Sequence, residues 1–439
     1  MMKKQFCYVM SIVMASYAFA DQLQEPATEE PLCVHVAATN YTRVGIKIIG
    51  IGKDDDFKLF LTTLHNDLAF NGQCSVSMSL MDHVPTRSFF NDVTKEGCPL
   101  TLILEKKSAD IINWRLYDTA LGQMVNGQVH PRKENSTRGW AHSLSDIVWP
   151  ELTGKPGFFS TKIAYCKAVT LPHKKGNCRH ICVADYDGSN EQLLVTTPTI
   201  NLAPRWNRDV KKPLLFYSEY TNKNIRLMSV DMQGRRRIAS NFDGINMLPT
   251  FSGDGKRVVY CASRADGHCH LYHFEKNGLR RLLGADGNHV SPSISADGSH
   301  IYFCSDYETG KPHIYRYDFD TQKITRITQQ GSAMAPSYSS AVQKVVYSQF
   351  VNGIVQLFSY DETTGKHTQI TTNPGNKDEA SWSPCGNYLM FSVDKGNKGR
   401  VAQLNLLTNE LRYLTKAGDD CTYPIWSDRY EQFPMIARA

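Results

Sequence analysis

Apolar and polar positions alternate in short runs through most of this chain, and from Trp206 to Trp426 the runs recur in register. The anchor is Pro-x-aromatic: Pro204-Arg205-Trp206, Pro249-Thr250-Phe251, Pro292-Ser293-Ile294, Pro336-Ser337-Tyr338, Ala380-Ser381-Trp382 and Pro424-Ile425-Trp426. Ile294 departs at the aromatic site and Ala380 at the proline site. The anchors follow one another at 45, 43, 44, 44 and 44 residues. A fixed period in this range marks a propeller or a solenoid. Each unit opens with a short inner strand and continues through a tight turn such as Asp254-Gly255 or Asp297-Gly298. A buried strand follows (Arg257 to Cys261, His300 to Cys304), then a third (His313 to Tyr317) and a fourth near Arg326-Ile327-Thr328. Four antiparallel strands per repeat predict propeller blades. Residues 159–203 supply three strands but no opening Pro-x-aromatic, and 424–426 supply an opening with almost nothing after it. The C-terminal strand near Trp426 is therefore expected to complete the first blade. Six blades result, with no exposed edge at the join.

The pattern before the repeat is different. Val44 to Ile51 is a β-branched run, and Phe57, Phe60, Leu61, Leu64 and Leu68 recur at helical spacing, with Asp55 or Asp56 as cap and Asn71-Gly72 as stop. Val76 to Met81, Leu100 to Glu105, Ile111 to Asp118 and Val125 to His130 read as strands. Asn135 or Ser136 starts a last helix through Val148, which Pro150 is expected to interrupt. The predicted fold class is thus mainly β, a six-bladed β-propeller over 158–430 preceded by a small α/β domain over 33–153.

The N-terminus is read separately. Lys3 and Lys4, an apolar run from Phe6 to Phe19 and Ala18-Phe19-Ala20 read as a secretory signal peptide over 1–20. Residues 21–32, acidic and with Pro26 and Pro31, read as a flexible tail. No later apolar stretch is long enough to cross a membrane.

Composition narrows the function. The net charge of +6 falls to +4 once Lys3 and Lys4 are removed, and no basic stripe suggests nucleic acid. Cys166, Cys261 and Cys304 occupy one blade position that is Ser218, Ser348 and Ser392 elsewhere, and read as structural free thiols. Cys178 and Cys182, taken to flank a turn, are the best local disulfide candidate.

Catalytic signatures are lacking. There is no Gly-x-Ser-x-Gly, no phosphate loop, no His-Glu-x-x-His and no Cys-x-x-Cys. His268 and His270 could share a strand face, but the cluster around Cys261, Cys269 and His273 reads as a polar edge strand rather than a metal site. Asp185 to Asn190 reads as a turn rather than a calcium loop. No catalytic residue, cofactor or metal is expected. The tripeptides before each anchor vary where the scaffold does not, and in a propeller they ring one mouth of the channel. Asn201, Asn246, Met247, His289, Val290, Met334, Asp378 and Thr422 among them are the candidate partner-binding residues.

Glu151-Leu152-Thr153-Gly154, then Ile163-Ala164-Tyr165, Asp185-Tyr186-Asp187-Gly188-x-Asn190 and Phe251-Ser252-Gly253-Asp254-Gly255 together resemble the TolB family of the Tol–Pal system. The resemblance covers essentially the whole chain after the signal peptide. It implies a periplasmic, non-enzymatic adaptor whose propeller mouth binds the peptidoglycan-associated lipoprotein Pal and whose N-terminal segment engages a TolA-like inner-membrane protein. That segment falls on Leu32, Cys33, Val34, His35 and Val36. The implied role is in outer-membrane integrity and constriction at division. The rival readings are an exported propeller hydrolase, a binder of cell-wall fragments, and a scaffold for another envelope protein.

Overall fold

A computed structural model describes residues 43–170, 178–263, 266–275, 278–284, 286–330, 332–394, 396, 398–431 and 433. The expected signal peptide, the 21–32 tail and the segment Leu32 to Val36 lie outside the described residues. The chain forms two compact units, one within 37–160 and one from Thr161 onward.

In the first unit β1 (Val44–Ile51), α1 (Asp55–Phe70), β2 (Cys74–Met81), α2 (Arg87–Lys95), β3 (Leu100–Ser108), β4 (Ile111–Asp118), β5 (Gln123–Pro131) and α3 (Thr137–Thr153) follow in order. The sheet runs β2-β1-β3-β4-β5, with β1 parallel to both neighbours. Ile46, Ile48 and Ile49 are fully buried because β1 is central and covered on both faces. On one face Phe60 of α1 meets Trp140 of α3, ring centroids 4.9 Å apart. On the other, Phe90 of α2 packs with Ile49, Ile103 and Tyr117.

Three local expectations are corrected. Asp54, not Asp55 or Asp56, caps α1, its carboxylate accepting from Phe57 N at 3.0 Å. The helix α2 was absent from the sequence reading: only Phe90 and Val93 are buried, and Thr86 makes no side-chain cap. Pro150 does not interrupt α3, which runs on to Thr153. A proline this close to the end removes a single helical hydrogen bond, and Gly154 closes the helix at φ 69°, its N–H bonded to Pro150 O at 2.8 Å.

The second unit is six four-stranded blades. The first is Lys162–Val169, Cys178–Asp185 and Gln192–Val195, completed by Cys421–Trp426. That C-terminal strand lies antiparallel to Lys162–Val169, with Thr422 opposite Cys166 and Trp426 opposite Ile163. Ion pairs flank the join: Arg179 to Asp420 at 2.7 Å, and Lys167 to Glu191 and Asp419, each at 3.0 Å. Blades two to six open on the inner strands Ile200–Trp206, Asn246–Phe251, His289–Ile294, Ala333–Ser339 and Asn376–Trp382.

The cysteines are all reduced among the described residues. Cys178 and Cys182 do not flank a turn but lie four residues apart on one strand, roughly 13 Å at the usual rise and far beyond disulfide reach. Cys166, Cys261 and Cys304 are buried thiols, and burial pushes each well above the usual range.

Candidate functional site

All six inner strands carry the same irregularity. The second residue of each tripeptide pairs with the small Ser or Cys of the neighbouring strand: Leu202 with Ser218, Met247 with Cys261, Val290 with Cys304, Met334 with Ser348, Asp378 with Ser392, Thr422 with Cys166. The register then skips. In all six, pairing resumes three residues on, at Arg205, Thr250, Ser293, Ser337, Ser381 and Ile425. Of the two residues skipped, the first is left-handed in every blade: Ala203 φ 54°, Leu248 52°, Ser291 53°, Ala335 48°, Glu379 59° and Tyr423 55°. A bulge re-aims side chains and adds twist, and a proline there costs no ladder hydrogen bond. None of these residues is glycine, so each holds a conformation that L side chains seldom adopt.

The bulges narrow a cavity of about 340 Å³ along the blade axis. It has two tiers. The upper holds Asp378 and Glu379. Asp378 Oδ1 accepts from Ser348 Oγ at 2.5 Å and from Glu379 N at 2.7 Å. Glu379 Oε2 accepts from Tyr423 N at 2.6 Å and Ser392 Oγ at 3.0 Å. Burial, reinforced by the neighbouring Asp378 charge, raises Glu379 to about 8. Burial also raises Asp378.

The lower tier is the middle residue of each Pro-x-aromatic anchor. Thr250 Oγ1, Ser293 Oγ and Ser381 Oγ accept from the next blade's Ile294 N (3.2 Å), Tyr338 N (2.9 Å) and Trp426 N (3.1 Å). Arg205 lies in the same tier, its Nη1 donating to Pro204 O at 2.8 Å. Burial lowers Arg205, opposed first by the Glu379 charge.

The candidate mouth residues divide by position. Asn201, Asn246 and His289, first in their tripeptides, are fully enclosed. Asn201 Nδ2 donates to Arg179 O at 2.8 Å, Asn246 Nδ2 to Ile225 O at 2.9 Å, and His289 Nδ1 lies 2.8 Å from Ser305 Oγ. They brace the loops behind the mouth. Met247 and Thr422 are also buried, Thr422 Oγ1 accepting from Arg179 Nη1 at 3.1 Å. Val290, Met334 and Asp378 line the cavity. The sequence reading missed Arg205, Glu379 and the hydroxyls of Thr250, Ser293, Ser337 and Ser381. The signal for Arg205 and the hydroxyls was the middle position of the anchor, four times Ser or Thr and once Arg, and for Glu379 the acidic Asp378-Glu379 pair just before an anchor.

His268, His270 and Cys269 make no metal constellation among the described residues; His270 Nε2 instead lies 2.6 Å from Asp266 Oδ2. Asp185 to Asn190 forms the expected turn, Asp187 Oδ1 accepting from Ser189 N at 2.9 Å.

Residues 149–438 match the family model of the TolB beta propeller domain. The Tol-Pal system protein TolB of Rickettsia canadensis is 35% identical over 162 residues, 36% of this chain and 35% of that protein. Its namesake in Gluconobacter oxydans is 32% identical over 157 residues, 36% of this chain and 34% of that one. The matched stretch thus spans about a third of each relative's length. The crystal structure of TolB from Acinetobacter baumannii superposes with a TM-score of 0.74 at 23% identity, over 90% of this chain and 99% of that one, which establishes a shared fold. With a family match over most of its length and six blades closed by its own C-terminal strand, the chain belongs to the TolB β-propeller family.

Proposed function

We propose that this protein is a non-enzymatic adaptor of the Tol–Pal envelope system, working in the periplasm. It would hold the peptidoglycan-associated lipoprotein Pal at the bulged mouth of the propeller. A TolA-like inner-membrane protein would take the N-terminal segment around Leu32, Cys33, Val34, His35 and Val36. By linking the two layers it would support outer-membrane integrity and constriction at division. The observation that carries this reading is the mouth itself. Six left-handed bulges present a rigid ring whose side chains differ from blade to blade. That is a surface built for one protein partner rather than for turnover. The names of the Rickettsia and Gluconobacter relatives support the system assigned.

Of the residues singled out in the sequence, Val290, Met334 and Asp378 would touch the lipoprotein, because they face the cavity. Asn201, Asn246, Met247, His289 and Thr422 would shape the mouth from behind. The test is calorimetric titration of the protein with the soluble domain of Pal from the same organism. Met334→Ala combined with Asp378→Asn should weaken binding about ten-fold or more with the fold intact. Wild-type protein that gives no heat, and no binding by a second method, would refute the adaptor reading. Unchanged affinity in the double variant would move the partner off the mouth.

A further inference from the structure

Besides the Arg208–Asp428 ion pair, the cavity lining carries Arg205 on one side and Asp378 and Glu379 on the other. Arg205 and Glu379 act on each other electrostatically, yet no ion pair within 4.0 Å joins them among the described residues. Each also has capacity to spare. The Arg205 guanidinium uses one N–H, toward Pro204 O, and a guanidinium has five. Glu379 takes two hydrogen bonds on Oε2, and Asp378 takes two on Oδ1. The Tyr423 side chain also reaches the Glu379 carboxylate; with three donors on Glu379 and two on Asp378, each carboxylate still has a lone pair to offer an ammonium.

The hydroxyl belt adds to the positive side. Thr250, Ser293 and Ser381 each have an oxygen engaged as acceptor by a backbone N–H of the next blade. A hydroxyl engaged in this way still has its proton to donate. The lower tier is therefore a ring of donors around the Arg205 guanidinium, and the upper tier a pair of buried carboxyl groups, on which an arriving ammonium supplies the positive partner that lets Glu379 release the proton burial holds there. Glu379 and Ser381 stand two residues apart on one strand, so the tiers lie roughly 7 Å apart.

We propose that the channel binds a small zwitterion, a free α-amino acid or a dipeptide, with its ammonium on Glu379 and Asp378 and its carboxylate on Arg205 and the hydroxyl belt. Hydrogen bonds of about 2.9 Å at each end let so short a molecule bridge the tiers. The volume of about 340 Å³ is at the small end of ligand sites, which excludes long peptides. Two charge-assisted ends at fixed separation select zwitterions over plain cations or plain anions, because a ligand lacking either charge leaves the other tier unpaired. The site shares Asp378 with the proposed lipoprotein contact, but Arg205, Glu379 and the hydroxyl belt do not depend on that reading.

The test is isothermal titration of the full chain with L-alanyl-L-alanine and with L-alanine, beside N-acetyl-L-alanyl-L-alanine and L-alanyl-L-alaninamide. Saturable one-site binding of the dipeptide or of alanine is expected. Each capped analogue should bind about ten-fold more weakly or worse. Arg205→Gln should cost a similar factor, and Arg205→Lys less, with unchanged near-ultraviolet dichroism. If neither uncapped ligand binds, the proposal is wrong. It is equally wrong if the capped analogues bind as well as the free ones, a comparison that needs only the wild-type protein. No lipoprotein enters the assay, so its result is separate from that of the adaptor test.

Discussion

The backbone N–H of Tyr423 donates to Glu379 Oε2 at 2.6 Å, so a left-handed residue of the closing strand is held by the left-handed residue of the blade before it. The contact lies across the seam where the ring closes, between the sixth blade and the first. One carboxylate therefore serves both the closure and the electrostatics of the lumen.

That carboxylate gives stability a pH dependence. Glu379 moves from 4.5 to about 8 on folding, through burial first and the Asp378 charge second. A raised folded value means that the folded state binds the extra proton. The contribution is fully present below the unfolded value and is lost as pH rises through about 8. Glu379→Gln retains an acceptor for Tyr423 N–H and removes the titration. Between pH 5 and 9 the wild type should lose on the order of 2 kcal/mol relative to this variant, after allowing for partial exposure. Denaturant unfolding at each pH measures it, and parallel curves would rule Glu379 out as the cause.

The bulge conformation is testable at Ala335, φ 48°. Valine there must adopt a conformation that is a genuine outlier for a β-branched side chain, so Ala335→Val should cost about 1–3 kcal/mol. Ala335→Gly should stay within about 1 kcal/mol of wild type, since relief of the backbone offsets the greater freedom of the unfolded chain. Equal losses in the two variants, by urea unfolding, would mean that packing rather than backbone strain governs the site.

Trp426 fastens the closing strand. Its indole is 5% exposed and Nε1 donates to Thr161 Oγ1 at 2.8 Å. Trp426→Ala should cost about 3–5 kcal/mol, with Trp426→Phe nearer the lower end because only the hydrogen bond and part of the ring are lost. A drop in Tm below that of a surface variant such as Lys256→Ala is the readout.

Thiol chemistry should separate the cysteines. Cys385 alone is partly exposed among the ten described. Burial raises Cys74 to about 11 and Cys269 and Cys421 to about 12, which leaves little thiolate to react. With a thiol reagent at pH 8, Cys385 should label first and the other nine only on unfolding. Fast native labelling of Cys166, Cys261 or Cys304 would contradict their enclosed positions.

The blades were legible because a two-residue alternation and a near-constant interval between anchors are properties of the sequence itself. Closure by Cys421–Trp426 followed from a simple deficit, three strands at one end and one at the other. Local chemistry misled where alternatives lay side by side: Asp54, Asp55 and Asp56 are all competent caps, and only geometry selects the first. Arg87–Lys95 escaped because two buried residues make a weak periodic signal. The tripeptides were read as one ring of partner-binding residues, yet Asn201, Asn246 and His289 are enclosed, because the first residue of each still lies in the inner strand, one place ahead of the residue after which the register shifts. The placing of Arg205 and Glu379 in one cavity had no local signal, since the two occupy different positions of different repeats and share a lining only through the ring.

Closure also sets the order in which the propeller can be made. The strand Cys421–Trp426 completes the first blade, so every contact it makes with Lys162–Val169 spans about 260 residues of chain. Such long-range pairing slows folding and leaves an unsealed edge until the end. A chain nicked or terminated before Trp426 would expose Lys162–Val169 as a sticky strand, and the cell would have a clear structural mark by which to discard it.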